Sequence, residues 1–181
     1  MELDCGVCCV RTWRESDAGL IVRHANDRDV WLTLRDRFPH PYSRADALAY
    51  IRSVTSDKPP TTFVIVVSGE PAGGIGLRLG EDIERRSAEI GYWIGRAYWG
   101  RGIMTVAVRA VTAYAFGPLD LLRVFALPFT SNAASVRVLE KAGYVREGLL
   151  RSSAIKAGQV QDQYLYATVR ADGVAGGPPG E

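Results

Sequence analysis

AEIGYWIGRAYWGRGIMTVAVRAVTAYAF, residues 88–116, reads as a strand, a turn with glycines and an amphipathic helix. Its first part, 88–94, is rich in aromatic and β-branched residues, which marks a strand. The turn, 96–104, places Gly100 and Gly102 on either side of Arg101. From Ile103 or Met104 onward, Ile103, Val106, Ala107, Ala110, Val111 and Tyr114 recur at helical spacing. Glycine lets the backbone reach positive φ and lets a ligand approach the main chain. The first N–H groups of a helix have no partner inside it and sit at the positive end of its dipole. Together with the charge of Arg101, they suit the segment to hold a phosphate. A connection that uses its glycines only for turning is the plainer alternative.

Two phosphate motifs are excluded. G-x-x-x-x-G-K-[ST] is absent, and Gly100-Arg101-Gly102 lacks the third glycine of a dinucleotide fingerprint, since Thr105 stands there. The turn resembles the pyrophosphate loop of the GNAT acetyltransferase superfamily, [Q/R]-x-x-G-x-[G/A]. Within that superfamily it resembles the RimJ/RimL-type branch, where the loop reads Y-W-G-[KR]-G. Trp99 and Met104 depart from the broad pattern at its first and last positions, and Gly102 keeps the central one. A second motif lies downstream. Asn132, Ser135, Leu139, Glu140, Lys141, Gly143 and Tyr144 are similar to the family spacing N-x-x-[A/S]-x-x-x-[Y]-E-[K/R]-x-G-[F/Y]. Asn132 and Ser135 project from one helix face. N-capping by Asn132 beside a surface Ser135 is the plainer reading.

The resemblance spans residues 10–170 and implies an α/β chain (α+β mixed sheet) in the GNAT acyl-CoA N-acyltransferase fold. About six to seven strands and four or so helices are expected. It implies acetyl-CoA as co-substrate, no metal, and direct acetyl transfer to a primary amine in a ternary complex. The cofactor side would comprise Trp93, Ile94, Gly95, Trp99, Gly100, Arg101, Gly102, Ile103, Met104, Thr105, Asn132 and Ser135. A backbone N–H near Trp93 or Ile94 would polarise the acetyl carbonyl. Many family members carry a tyrosine where this chain has Leu139, as the acid toward the leaving thiolate. Leucine cannot donate a proton, so the resemblance passes the contact with the thiol to Ser135.

Glu89 is the candidate base. Strand alternation puts Glu89, Gly91 and Trp93 on one face. A carboxylate of pKa about 4.3 is a weak base unless burial raises it toward the roughly 6–7 of a tuned glutamate. A structural ion pair with Arg85 or Arg86 competes with that reading. For the chain as a whole, a non-catalytic acyl-CoA-binding or regulatory module is the alternative function.

The remaining elements fall around this unit. A first strand is expected over 8–13, then a helix capped by Ser16, and a second helical stretch over 29–37. Pro39 and Pro41 make 38–42 a loop. Ser43 caps a helix through 53. Strands over 61–67 and 72–79 form a hairpin about the turn 68–71. A strand over 121–127 precedes the second motif's helix, which Gly143 stops. Strands over 144–156 and 160–169 close the fold. Residues 1–170 read as one domain, and 171–181, with its glycines and prolines, as a disordered tail. With the cofactor motifs on the central strand–helix units, the acceptor wall falls to Trp31, His40 and Tyr42 and to Asp162 and Tyr164 of the last hairpin.

Composition sets the outer bounds. The 181 residues are 47% hydrophobic and 23% charged, which is ordinary for a globular chain. A net charge of +2 is too weak to argue for nucleic acid. The longest clean apolar run, 63–67, is far too short for a membrane span. The opening Met1-Glu2-Leu3-Asp4 leads into no basic-then-apolar segment, so a cytoplasmic protein is expected. Cys5, Cys8 and Cys9 cluster in one short segment and cannot staple a core. With His24 and His40 isolated, no set of four metal ligands assembles, and the thiols are expected to be buried or on an edge strand. The expected partner is an amine acceptor, either a small molecule or a protein N-terminus, with no nucleic acid and no membrane. A homodimer is allowed.

Overall fold

The structure is a computed structural model that describes residues 2–56 and 58–171. The elements run β1 (Glu2–Asp4), β2 (Cys9–Thr12), α1 (Ala18–Ala25), α2 (Arg28–Leu32) and α3 (Arg44–Val54). They continue with β3 (Thr62–Val67), β4 (Glu70–Leu79), β5 (Ser87–Ile94), α4 (Ile103–Phe116) and β6 (Arg123–Ala126). The chain ends with α5 (Ala133–Ala142), β7 (Val145–Lys156) and β8 (Gln159–Val169). Short 3-10 turns lie at Glu15–Asp17, Asp82–Glu84 and Arg96–Tyr98. The strands form one sheet in the order β1-β2-β3-β4-β5-β6-β8-β7. Among the described residues only β5 and β6 run parallel, so the sheet is mixed as expected.

Among the described residues eight strands exceed the six to seven expected, and the five α-helices accord with the four or so expected. The extra strand is β1, whose three residues are too few to show a period and which pairs antiparallel with β2. All three cysteines are free and sit on or beside this hairpin, with Cys8 buried. Two helix boundaries also differ. Asp17, not Ser16, organises the entry to α1, because its carboxylate accepts the Arg14 N–H at 2.9 Å and both ends of the Arg11 fork. Helix α2 stops at Leu32 instead of running to Arg37. Arg35 and Asp36, in the turn that follows, are drawn into ion pairs with distant elements. The tail expected over 171–181 lies, after its first residue, outside the described residues.

Local signals hold where they are strong. Ser43 caps α3 in a reciprocal box with Asp46. Asn132 caps α5, and Gly143 ends it at φ +94. Between β3 and β4 the register slips by one residue at Ala72, a bulge inside the glycine-rich stretch.

Two apolar layers sandwich the sheet. On one face α4 and α5 bury Ile103, Ala107, Val108, Val111 and Leu139 against Phe63, Ile75, Ile90 and Val124. On the other, α1 and α3 bury Ile21, Ala25, Ala47 and Ile51 with Trp13 and Val64. Tyr42 belongs to this second layer. It is 6% exposed and stacks on Phe38 at 4.7 Å, so it does not line an acceptor wall as expected. Tyr42→Ala should therefore act on stability. Aromatic truncations in a core cost about 3–5 kcal/mol, so a drop in unfolding free energy of that order is expected in urea. A loss under about 1 kcal/mol would contradict this burial. Among the described residues no helix is long and apolar enough to cross a membrane.

Candidate active site

The parallel pair β5–β6 is short. Ser87, Ala88 and Glu89 register with Arg123, Val124 and Phe125, and there the pairing ends. Strand β5 continues to Ile94 while the chain leaves β6 after Ala126, so the two diverge. The direction of the backbone groups follows from their partners. Arg86 O accepts from Leu122 N–H at 2.8 Å, on the β6 side, and Ser87 O accepts from Gly80 N–H at 2.8 Å, on the β4 side. Since main-chain groups alternate along a strand, the N–H groups of Tyr92 and Ile94 face the gap. Ile94 O faces it too and accepts the Trp99 indole N–H at 2.9 Å. The Trp93 N–H points toward β4, where Trp93 registers with Gly74. Of the two positions expected to polarise a carbonyl, the geometry thus leaves Ile94 and adds Tyr92.

The gap leads onto the turn before α4. Gly95 has no room for a side chain, because a β-carbon would lie 2.7 Å from the His24 ring. His24 in turn packs edge-on to Tyr98 at 5.3 Å, and Arg101 lies over Tyr98 at 5.6 Å. Gly102 is the N-cap residue at φ +76 and offers no side-chain cap. Thr105 N–H already donates to Gly102 O at 3.1 Å, which removes it from the donors expected to face a phosphate. Gly102, Ile103 and Met104 keep N–H groups without a protein acceptor among the described residues. Ile103 and Met104 bury their side chains, at 4% and 8% exposed, so each offers only its backbone outward. A β-carbon built on Gly102 meets nothing within 4 Å. This open cradle of donors at the positive end of a 14-residue helix suits a pyrophosphate group.

Helix α5 borders the same gap. Asn132 Oδ1 accepts the Ser135 N–H at 3.0 Å, so this side-chain oxygen is engaged in capping. Ser135 Oγ lies 2.8 Å from the Tyr92 hydroxyl, with either group able to donate. Leu139, at the family's tyrosine position, is fully buried in the core. The sequence does not single out Tyr92. Its signal was present, because it shares the inward face with Ile90 and Ile94, and a buried phenol needs a partner. Burial raises its pKa above the usual range of a phenol, so the hydroxyl stays protonated at neutral pH.

Glu89 lies on the opposite face of β5, 9% exposed. Its partners are Arg35 and Arg78, one on each carboxylate oxygen. The expected partners are engaged elsewhere, Arg85 with Asp82 O and Arg86 with Asp120. Burial by itself would raise the Glu89 carboxyl, but the Arg78 and Arg35 guanidiniums outweigh it and hold it below the usual carboxylate range. In this state Glu89 is an ionised anchor for cations rather than a base tuned upward by burial.

The expected acceptor residues are only partly brought together. Trp31 and His40 stack at 5.7 Å, and Lys156 from the hairpin tip lies on the Trp31 ring. Asp162 turns into its own hairpin, where a carboxylate oxygen accepts the Ser152 N–H at 2.7 Å. Tyr164 packs beneath Arg146, whose guanidinium is 5.0 Å from its ring centre.

Comparison with known proteins identifies the family of the chain. The family model described as an acetyltransferase (GNAT) domain matches residues 8–145. The uncharacterized N-acetyltransferase p20 of Bacillus licheniformis is 27% identical over 166 residues, covering 90% of this chain and 93% of its own. The ribosomal-protein-serine acetyltransferase of Escherichia coli is 28% identical over 107 residues, 59% of each chain. Among solved structures, Mycobacterium smegmatis RimJ in complex with CoA-disulfide superposes with a TM-score of 0.79 at 25% identity. That superposition covers 91% of this chain and 83% of RimJ.

Proposed function

The chain belongs to the GNAT acetyltransferase family, in its RimJ/RimL-type branch, and from that premise we propose that it acetylates a primary amine within one domain, residues 1–170. The amine is a protein N-terminal α-amine or that of a small molecule, and the transfer is direct, in a ternary complex. The observation that carries this reading is the β5–β6 gap, whose facing N–H groups lead onto the free donors of Gly102, Ile103 and Met104.

Bound acetyl-CoA would supply the acetyl group as an activated thioester. The N–H groups of Gly102, Ile103 and Met104 would hold its pyrophosphate, with Arg101 adding charge. The N–H of Ile94 or Tyr92 would donate to the acetyl carbonyl, where charge develops. Glu89, on the far face of the same strand, would anchor the acceptor's ammonium and take its proton, directly or through water. Ser135 Oγ would donate to the departing sulfur while the Tyr92 phenol orients it.

Acetyl-CoA-dependent thiol release with a panel of amines tests the reading, and silence toward every amine would sink it. A hydrogen bond to a charged group contributes about 1.5–3 kcal/mol. Ser135→Ala should accordingly lower kcat roughly tenfold to a hundredfold with little change in acetyl-CoA affinity. Tyr92→Phe should show a smaller fall in the same direction. An unchanged kcat in Ser135→Ala would remove Ser135 from the transfer step.

A further inference from the structure

Strand β7 is solvent-exposed along most of its length, and even Leu149 and Ile155 face water. One residue of β7 breaks the pattern. Lys156, the last residue of the strand, is 4% exposed despite its charge. Its ammonium sits 3.6 Å from the centre of the Trp31 ring and donates to Asp36 Oδ1 at 2.7 Å. An ammonium is withdrawn from water only where it is paired, and an aromatic face with a carboxylate provides such a place. Both partners come from the segment after Asp27, 120 residues back in the chain in the case of Asp36.

The segment that holds Lys156 is itself fastened to the candidate site. Arg35, next to Asp36, is paired with Glu89 on the central strand. Two consecutive side chains therefore tie one turn to the strand on one side and to the hairpin tip on the other. The tie to the hairpin is asymmetric. Lys156 is covered, whereas the Asp36 side chain is 68% exposed.

We propose that Lys156 is a latch that holds the hairpin tip against Trp31 and Asp36 and so limits the size of the acceptor the site admits. Closed, it favours small primary amines; a polypeptide N-terminus requires it to open. The inference rests on the acceptor-side reading of Glu89 and its surroundings given above.

The test uses three variants of the full chain. Lys156→Met keeps the apolar stem without the charge, Lys156→Arg keeps the charge, and Asp36→Asn keeps the shape of the partner. Two measurements are made on each. Amide hydrogen exchange over 157–163, without substrates, reads the latch alone. The ratio of kcat/KM for the best peptide to that for the best small amine of the panel reads the gate. Exchange should rise about tenfold or more in Lys156→Met and Asp36→Asn, the ratio should rise with it, and Lys156→Arg should stay near the wild type in both. Unchanged exchange in Lys156→Met would overturn the latch. Faster exchange with an unchanged ratio would overturn the gate. If the wild type released no thiol with any amine, the acceptor-side reading would fall and the gate with it, whereas faster exchange would still leave the tether standing.

Discussion

Replacing Gly102 with valine is expected to abolish measurable acetyl-CoA binding while the chain still folds. Gly102 sits at φ +76, and a β-carbon there would point into open space rather than into protein. Two effects then combine. A non-glycine residue in the left-handed region costs about 1–2 kcal/mol, which local stability can absorb. The valine methyls would also occupy the space through which a phosphate would reach the free N–H groups of Gly102, Ile103 and Met104. Titration calorimetry should show at least a roughly hundredfold weaker affinity, about 2.7 kcal/mol. Far-ultraviolet circular dichroism should be unchanged. Gly102→Ala separates the two effects, because it carries the backbone strain with only one added carbon. Wild-type affinity in the valine variant would move the pyrophosphate site elsewhere.

The second large effect is expected at Glu89. General-base catalysis contributes about 10²–10⁴-fold, and Glu89→Gln should lose kcat on that scale while binding acetyl-CoA normally. The structure sharpens the expected pH dependence. A carboxyl held below its usual range by Arg78 and Arg35 stays ionised throughout the neutral region. Acceptor amines have pKa values of about 7.7–10.4, so proton transfer to such a carboxylate is uphill by several kcal/mol. An acceptor ammonium that replaces Arg35, whose side chain is 53% exposed, removes one of the two guanidiniums and narrows that mismatch. Wild-type kcat should then be nearly flat from about pH 6 to 8. The Glu89→Gln rate should climb with the fraction of free amine, so that the two converge as pH rises. A variant within a few-fold of wild type at neutral pH would leave Glu89 as a structural anion.

The same shift sets the sign of the stability effect. Because the folded-state pKa of Glu89 is lowered, its two ion pairs stabilise the fold above the unfolded pKa of about 4.3. That contribution fades as pH falls through the folded value. Both arginines are more than half exposed, which keeps it small.

Much of the strand–turn–helix unit proposed to hold the cofactor is legible without any tertiary structure. A strand of alternating faces, a glycine at the helix start and an unpaired helix N-terminus are properties of a few consecutive residues. The chain writes them out directly between Ser87 and Phe116. The Asn132 cap and the Gly143 stop of α5 are of the same kind, since a cap needs only its own three or four residues. The acceptor side is less legible in the sequence. Its loop residues carry no local pattern that marks a role, and Tyr42, Asp162 and Tyr164 are each engaged within their own surroundings.

The sequence by itself determined the order of the main elements, the glycine turn before α4 and the face on which Glu89 lies, because hydrogen bonding and periodicity act over short separations. Only the tertiary structure decided which groups meet across the sheet. Glu89 finds Arg35 at a separation of 54 residues, Tyr92 finds Ser135 at 43, and Lys156 finds Asp36 at 120. Those meetings depend on strand register and on where the helices and the hairpin cross back over the sheet. An arginine or a lysine in a sequence carries no mark of the carboxylate it will reach, because many partners satisfy it equally until the packing of the apolar layers leaves one within range.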